Sequence, residues 1–288
     1  MTAAGARDWI GEQIRSRVVG ADPAAKNAAI FDTPGPRWLA DDSPVRLVHA
    51  DASMFIGGLR ALLLQSLHPL AMAGVAQHSD YRADPWGRLQ RTAEFLASTT
   101  FGNVETAERA VAIVRRVHER VVGIAPDGRP YSANDPHLLH WVHLAEADSF
   151  LTAYQRYGQH RLSAADADRY LRDSAAVPRA LGVTDPPTST AMLRSQLRDF
   201  RPELRGTSEA REAARYLLVD PPLPLAVRPA YLALGAAAVA LLPAWTRWPL
   251  RLPFLPMSEK LIAGPAGDAI TGVIRWSMTP RSTSEPAG

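Results

Sequence analysis

The stretch 84–123, DPWGRLQRTAEFLASTTFGNVETAERAVAIVRRVHERVVG, reads as two helices joined by a tight corner. Asp84 can cap a helix whose first position is Pro85, where a missing N–H costs nothing. That helix runs from Trp86 to about Thr99, and Gly102 closes it. Asn103 then caps a second helix, Val104 to about Val122, with Glu105 in its first turn and Gly123 as its stop. The same devices recur along the chain. Asp135-Pro136 opens a long helix that Gly158 ends after Tyr157, and Ser163 with Asp166 opens one that ends at Gly182. Upstream, Ser43-Pro44 opens an apolar helix to about Leu67, interrupted at Gly57-Gly58 and stopped at His68-Pro69. Shorter helices are predicted over 189–200, 208–219, 225–242 and 258–277. Alternation of apolar and polar residues at period two is missing, so no strand is predicted. The expected fold class is all-α, one multi-helix domain over residues 1–278, with a disordered polar tail at 279–288.

Composition narrows the chemistry. A chain of 288 residues, 47% hydrophobic and 21% charged, is globular rather than disordered. It has no cysteine, which excludes disulfides, zinc–thiolate sites, iron–sulfur clusters and cysteine nucleophiles. Of the 32 basic residues only Lys26 and Lys260 are lysines, the usage of a GC-rich bacterial genome. The arginines are scattered and the net charge is only +3, so no nucleic-acid partner is expected. The first twenty residues are charged and lack the apolar core of a signal peptide. The most apolar stretch, Ala230 to Leu242, lies between Pro229 and Pro243 and is shorter than the ~20 residues that span a bilayer. It reads as a core helix, with a channel wall or a membrane-surface contact as alternatives; Trp245, Trp248, Arg247 and Arg251 follow it and suit an interface. The expected location is cytoplasmic, with peripheral membrane contact left open.

Without cysteine, the candidate chemical groups are histidines, arginines and carboxylates. His118 lies among Val111, Val114, Val121 and Val122 at helical spacing, where desolvation keeps an imidazole neutral. A neutral imidazole suits a metal ligand, and equally a hydrogen-bonded core histidine. In the preceding helix Arg88, Thr92, Phe95 and Thr99 share one face, with Arg91 three residues from Arg88. The face is either a polar set aimed into a pocket or surface groups bonded to their own helix. His137, His140 and His143 cannot hold one ion together, because the first and third lie about 240° apart around a helix. His143, near Trp141, Asp148 and Phe150, reads as inward-facing pocket lining. No Asp or Glu stands three residues before a histidine, so a ferritin-like di-iron site is excluded. Nucleophile-elbow, P-loop and dinucleotide-binding motifs are absent too.

Several segments in order resemble one family. They are Leu62 to Pro69, Gly74 to Ser79, Asp84 to Thr92, Arg115 to His118, Asp127 to Ser132 and Trp141 to His143. Together they resemble the catalytic domain shared by latex clearing proteins (rubber oxygenases) and MpaB-type oxygenases, over about residues 40 to 250. The resemblance implies a globin-like domain enclosing a haem pocket, with b-type haem (haem b, iron) held by a histidine. The family's histidine falls one helix after an arginine and threonine four apart, which matches His118 after Arg88 and Thr92. His143 is the reserve ligand and His68 the third candidate. Arg91 stands where rubber-cleaving members carry an iron-capping lysine; a guanidinium has no lone pair to give iron but can hydrogen-bond dioxygen or a propionate. Rubber cleavage is linked to a glutamate upstream of the arginine, and no Asp or Glu occurs between Ala52 and Ser79.

These readings together predict a haem-dependent oxygenase acting with dioxygen on an apolar, isoprenoid or aromatic small molecule, and not on polyisoprene. Arg88, Arg91 and Thr92 are the expected catalytic residues. The alternative is a non-catalytic haem- or lipid-binding helical protein of the same fold.

Overall fold

The computed structural model describes residues 3–20, 23–79 and 81–279, so most of the expected tail lies outside the described residues. The described chain is all-α in class, 69% helical. An N-terminal arm holds α1 (Ala3–Val18) and α2 (Pro23–Asn27). Next come α3 (Pro44–Ala50), α4 (Met54–Gln65), α5 (Pro69–His78), and the hairpin of α6 (Pro85–Phe101) and α7 (Val104–His118). The longest helix, α8 (Pro136–Tyr157), precedes α9 (Ala164–Ser174), α10 (Ala176–Leu181), α11 (Thr190–Asp199) and α12 (Ser208–Leu218). α13 (Arg228–Leu241), α14 (Ala244–Arg247), α15 (Pro256–Ser258) and α16 (Gly264–Met278) complete the described chain.

The predicted caps form. The Asp84 side chain accepts from the Gly87 N–H, Asn103 from Thr106, Asp135 from His137 and Ser163 from Asp166. Each satisfies a backbone donor that the helix leaves free, worth about 1 kcal/mol.

Three expectations change. α7 stops at His118, four residues early, and the chain turns into β1 (Val122–Ile124), paired antiparallel with β2 (Pro130–Ser132). β-Branched Val121 and Val122 favour the extended backbone, and Gly128, at φ 86°, makes the return turn after Asp127. Val121 and Val122 therefore leave the helical stripe around His118. The helix expected from Pro44 to Leu67 breaks at Asp51 rather than at Gly57-Gly58, and its halves meet at 94°. Asp51 accepts from the Ser53 N–H at 2.8 Å and pairs with Arg275 at 2.9 Å, so the corner is tied locally and to α16. Gly57 serves close packing instead: a Cβ there would lie 3.1 Å from the Phe150 ring and 3.3 Å from Ala153. Lastly, Trp245 packs on the core under Arg201, and Arg247 is buried in an ion pair with Glu259 at 2.8 Å. Only Trp248 of that tryptophan pair is surface, at 90% exposure.

The core lies where α4 crosses α8. Leu63, Leu64 and Leu67 close on Trp141 and Leu144, and the Trp141 indole N–H donates to the Gln65 carbonyl at 3.1 Å. Arg60 is buried in this contact and donates to Asp148 and Ser149 at 2.7 Å each, and to the Leu241 carbonyl at 3.0 Å. α13 covers α4 from the other side, burying Gly235, Ala237 and Ala238, which places the most apolar stretch against the core. Among the described residues no single helix is long and apolar enough to cross a membrane; α3 and α4 pass together only as a sharply bent, largely buried pair.

Candidate functional site

α6 and α7 pack on each other and lean on α1, α3 and α10, but neither packs extensively on α5 or α8. Few backbone contacts therefore join the hairpin to α8, and the gap between the two is a side-chain seam. At its deep end α3, α6, α8 and the α9–α10 corner enclose a cavity of about 50 Å³. Val45, Phe95, Leu96 and Phe150 give it apolar walls.

Its polar lining comprises two histidines, Glu146, Asp173, Tyr170 and hydroxyls from α6 and α9. His49 on α3 bonds Thr100 Oγ1 through Nδ1 at 2.8 Å, while its Nε2 is buried without a partner. His143 on α8 also has a buried, unpartnered Nε2. Burial pushes His49 down to about 4 and His143 down to about 3, so both imidazoles are neutral at physiological pH. One turn beyond His143, Glu146 accepts from Gln65 Nε2 at 3.2 Å. Burial raises its carboxyl to about 7, and this single hydrogen bond offsets only part of that cost. The cavity thus holds two neutral histidines with free nitrogens beside a carboxyl that titrates near neutrality.

The outer end of the same α6 face carries Arg88 and Thr92. Arg88 is half-buried, donates to Ser79 Oγ at 3.0 Å and lies over the Tyr81 ring. Burial lowers its pKa and Arg91 adds to that, with Tyr81 opposing. Among the described residues no carboxylate pairs with it. Thr92 is exposed and donates back to the Arg88 carbonyl at 3.0 Å, the local alternative weighed for it. Arg91 turns outward to Asp84 at 3.2 Å, its side chain 70% exposed. His118, the last residue of α7, is half-buried with an orphaned Nδ1; burial lowers its pKa and the neighbouring Ala133 backbone partly offsets this.

Four other histidines are engaged elsewhere. His68 is fully buried and meets Glu203 at 3.3 Å, as does His137 at 2.9 Å, while His140 meets Gln196 at 3.2 Å. His78 lies 3.1 Å from both the Tyr131 hydroxyl and the Val122 carbonyl. The expected lining role of His143 is observed; His49, Glu146 and Glu203 were not singled out from sequence. The His143–Glu146 spacing, one turn apart on one face, was the legible signal for Glu146. The segment without carboxylates, 52–79, receives three from distant chain: Asp148 at Arg60, Glu146 at Gln65 and Glu203 at His68.

The family described as "ER-bound oxygenase mpaB/B'/Rubber oxygenase, catalytic domain" matches residues 46–276. Comparison with curated proteins and with solved structures finds no match.

Proposed function

Because the chain belongs to this family of oxygenase catalytic domains, and so is an oxidoreductase, we propose that it uses haem b and dioxygen to oxidise a small apolar molecule in the gap between the hairpin and α8. The observation that carries the reading is a set of histidines with unpartnered buried nitrogens: His49 and His143 beside the apolar cavity walls, and His118 at the end of α7. Such a set fits an iron porphyrin, which takes an imidazole nitrogen on the metal and apolar side chains on its faces. The 50 Å³ cavity suits a small group alone, so a porphyrin would have to part the hairpin from α8 along the seam beside it. His118 would hold the iron, with His143 the second candidate.

Bound there, haem supplies the iron centre that activates dioxygen. Arg88 would donate hydrogen bonds to negative charge, either a propionate or the developing oxygen anion, because its desolvated guanidinium has a single hydroxyl partner. Thr92 would orient Arg88 through the helix turn they share. Phe95, Leu96 and Phe150 would exclude water from the apolar substrate. Glu146 would accept the proton that leaves the substrate carbon, since a carboxyl near 7 is populated in both forms at neutral pH.

The test is spectroscopic first. Protein supplied with hemin is expected to show a Soret band, and oxygen uptake with small isoprenoids and aromatics to exceed that with rubber latex. No Soret band overturns the haem assignment. A Soret band without uptake on any substrate favours a binding protein.

Glu146→Gln is expected to lower turnover about 10²–10⁴-fold where a proton must be removed, and to erase a rise in rate with apparent pKa near 7. It also has a stability signature. The folded-state pKa is raised, so wild-type stability is complete below about 4.5 and lost as pH rises to about 7. Glu146→Gln is then expected to be the more stable protein at pH 8, by at most about 3 kcal/mol. His49 and His143 act oppositely: their depressed pKa values cost stability as pH falls from about 6.5 toward 4 and 3. Denaturant melts of both proteins across pH 4–9 separate the two.

A peripheral lipid contact is the second part of the proposal. Beyond exposed Trp248, the loop and α15 segment present Phe254, Leu255, Met257, Leu261 and Ile262 at 55–69% exposure, with Arg251 and Lys260 among them. Aromatic and aliphatic groups interleaved with cations fit the interface of an anionic bilayer. Sedimentation with phosphatidylserine vesicles is expected, weakened by Trp248→Ser with Leu261→Asp. Equal sedimentation of that variant overturns the contact.

A further inference from the structure

We propose that His68, His137 and Glu203 form a binding site for a divalent first-row transition-metal ion, separate from the gap. The three residues come from three distant segments: the His68-Pro69 corner before α5, the first turn of α8, and the 3₁₀ turn Arg201–Glu203 after α11. Each offers one ligand atom, and these atoms lie within 4.8 Å of one another. Both imidazoles already point Nε2 at the same carboxylate, at 3.3 Å from His68 and 2.9 Å from His137. Ligands bonded to one ion at about 2.0–2.2 Å stand roughly 3–4 Å apart, so an ion replaces these contacts with little movement.

Packing holds the donors in place. The His137 ring stacks on Phe200 at 4.5 Å, and His68 lies edge-on to Phe200 and tilted against Trp141 at 6.4 Å from each. Two nitrogens and one carboxylate oxygen select zinc, cobalt, nickel or iron(II) over magnesium and calcium, which prefer all-oxygen shells. Three protein ligands leave at least one position free, and the site opens outward, with the His137 and Glu203 side chains 52% and 36% exposed. Arg129 is the cation that opposes binding, being within electrostatic reach of Glu203, but its guanidinium is bonded to Asp127 at 2.7 Å. His140 and His143 take no part, since their positions on α8 point elsewhere and His140 bonds Gln196.

The experiment is a cobalt(II) titration of the full chain without an affinity tag and without haem, read by visible ligand-field absorption, with zinc competition. One equivalent of cobalt is expected, displaced by zinc, and saturating zinc is expected to raise the melting midpoint by about 5 °C. His137→Ala, at an exposed residue, and the isosteric Glu203→Gln, at a half-buried one, should each weaken binding at least about tenfold and abolish the thermal shift. His143→Ala should leave both readouts unchanged, which separates this site from the gap. Absence of the one-equivalent cobalt spectrum overturns the proposal, as does binding that survives intact in both variants.

Discussion

His118→Ala is expected to abolish or strongly shift the Soret band of hemin-loaded protein, and added imidazole to restore it. A ring cut back to Cβ leaves a hole of its own shape, and free imidazole can supply the missing nitrogen. The expectation rests on the position of His118 at the end of α7, a half-buried imidazole whose pKa is lowered by desolvation, with an orphaned buried Nδ1 and the Ala133 backbone beside the ring. A ligating histidine needs one nitrogen for the metal and a protein acceptor near the other. His143→Ala serves as the control. If it loses the band while His118→Ala keeps it, the ligand is the cavity histidine. Arg91 is expected to be indifferent, since it faces Asp84 at the surface. Ferric protein is therefore expected to take up azide or imidazole without a large opening step, since the guanidinium of Arg91, where the resemblance implies a capping lysine, has no lone pair to give iron.

Arg60→Ala is expected to cost about 3–5 kcal/mol, which for a chain of this size lowers the melting midpoint by about 5–8 °C. Arg60 has a side chain 3% exposed, and its three nitrogens satisfy Asp148, Ser149 and the Leu241 carbonyl, joining α4, α8 and α13. Removing it leaves Asp148 without its counter-charge and opens a cavity between three helices. Arg60→Met paired with Asp148→Asn fills the volume and removes the orphaned charge, so this double variant is expected to recover most of the loss. Denaturant melts of the three proteins decide it; an Arg60→Ala midpoint equal to wild type would mean that solvent reaches Asp148 freely.

The helices were legible because their signals are local. Asp84-Pro85, Asn103, Asp135-Pro136 and Ser163 cap helices through bonds spanning two or three residues, so the sequence carries the whole device. The all-α class, the hairpin and the inward lining role of His143 followed from such short-range information. The errors came where a distant partner decides. α3 and α4 separate at Asp51 because Arg275, over two hundred residues away, pairs with it. Trp245 and Arg247 looked like surface because their cover, Arg201 and Glu259, cannot be inferred from spacing. The candidate site shows the same division. Sequence alone placed histidines and an arginine-bearing helix face within a recognisable family, but the carboxylates that reach segment 52–79 from distant chain could only be found in space. Glu146 comes to Gln65 across the α4–α8 crossing, and that burial, a property of packing rather than composition, gives an ordinary glutamate a proton to exchange near neutral pH.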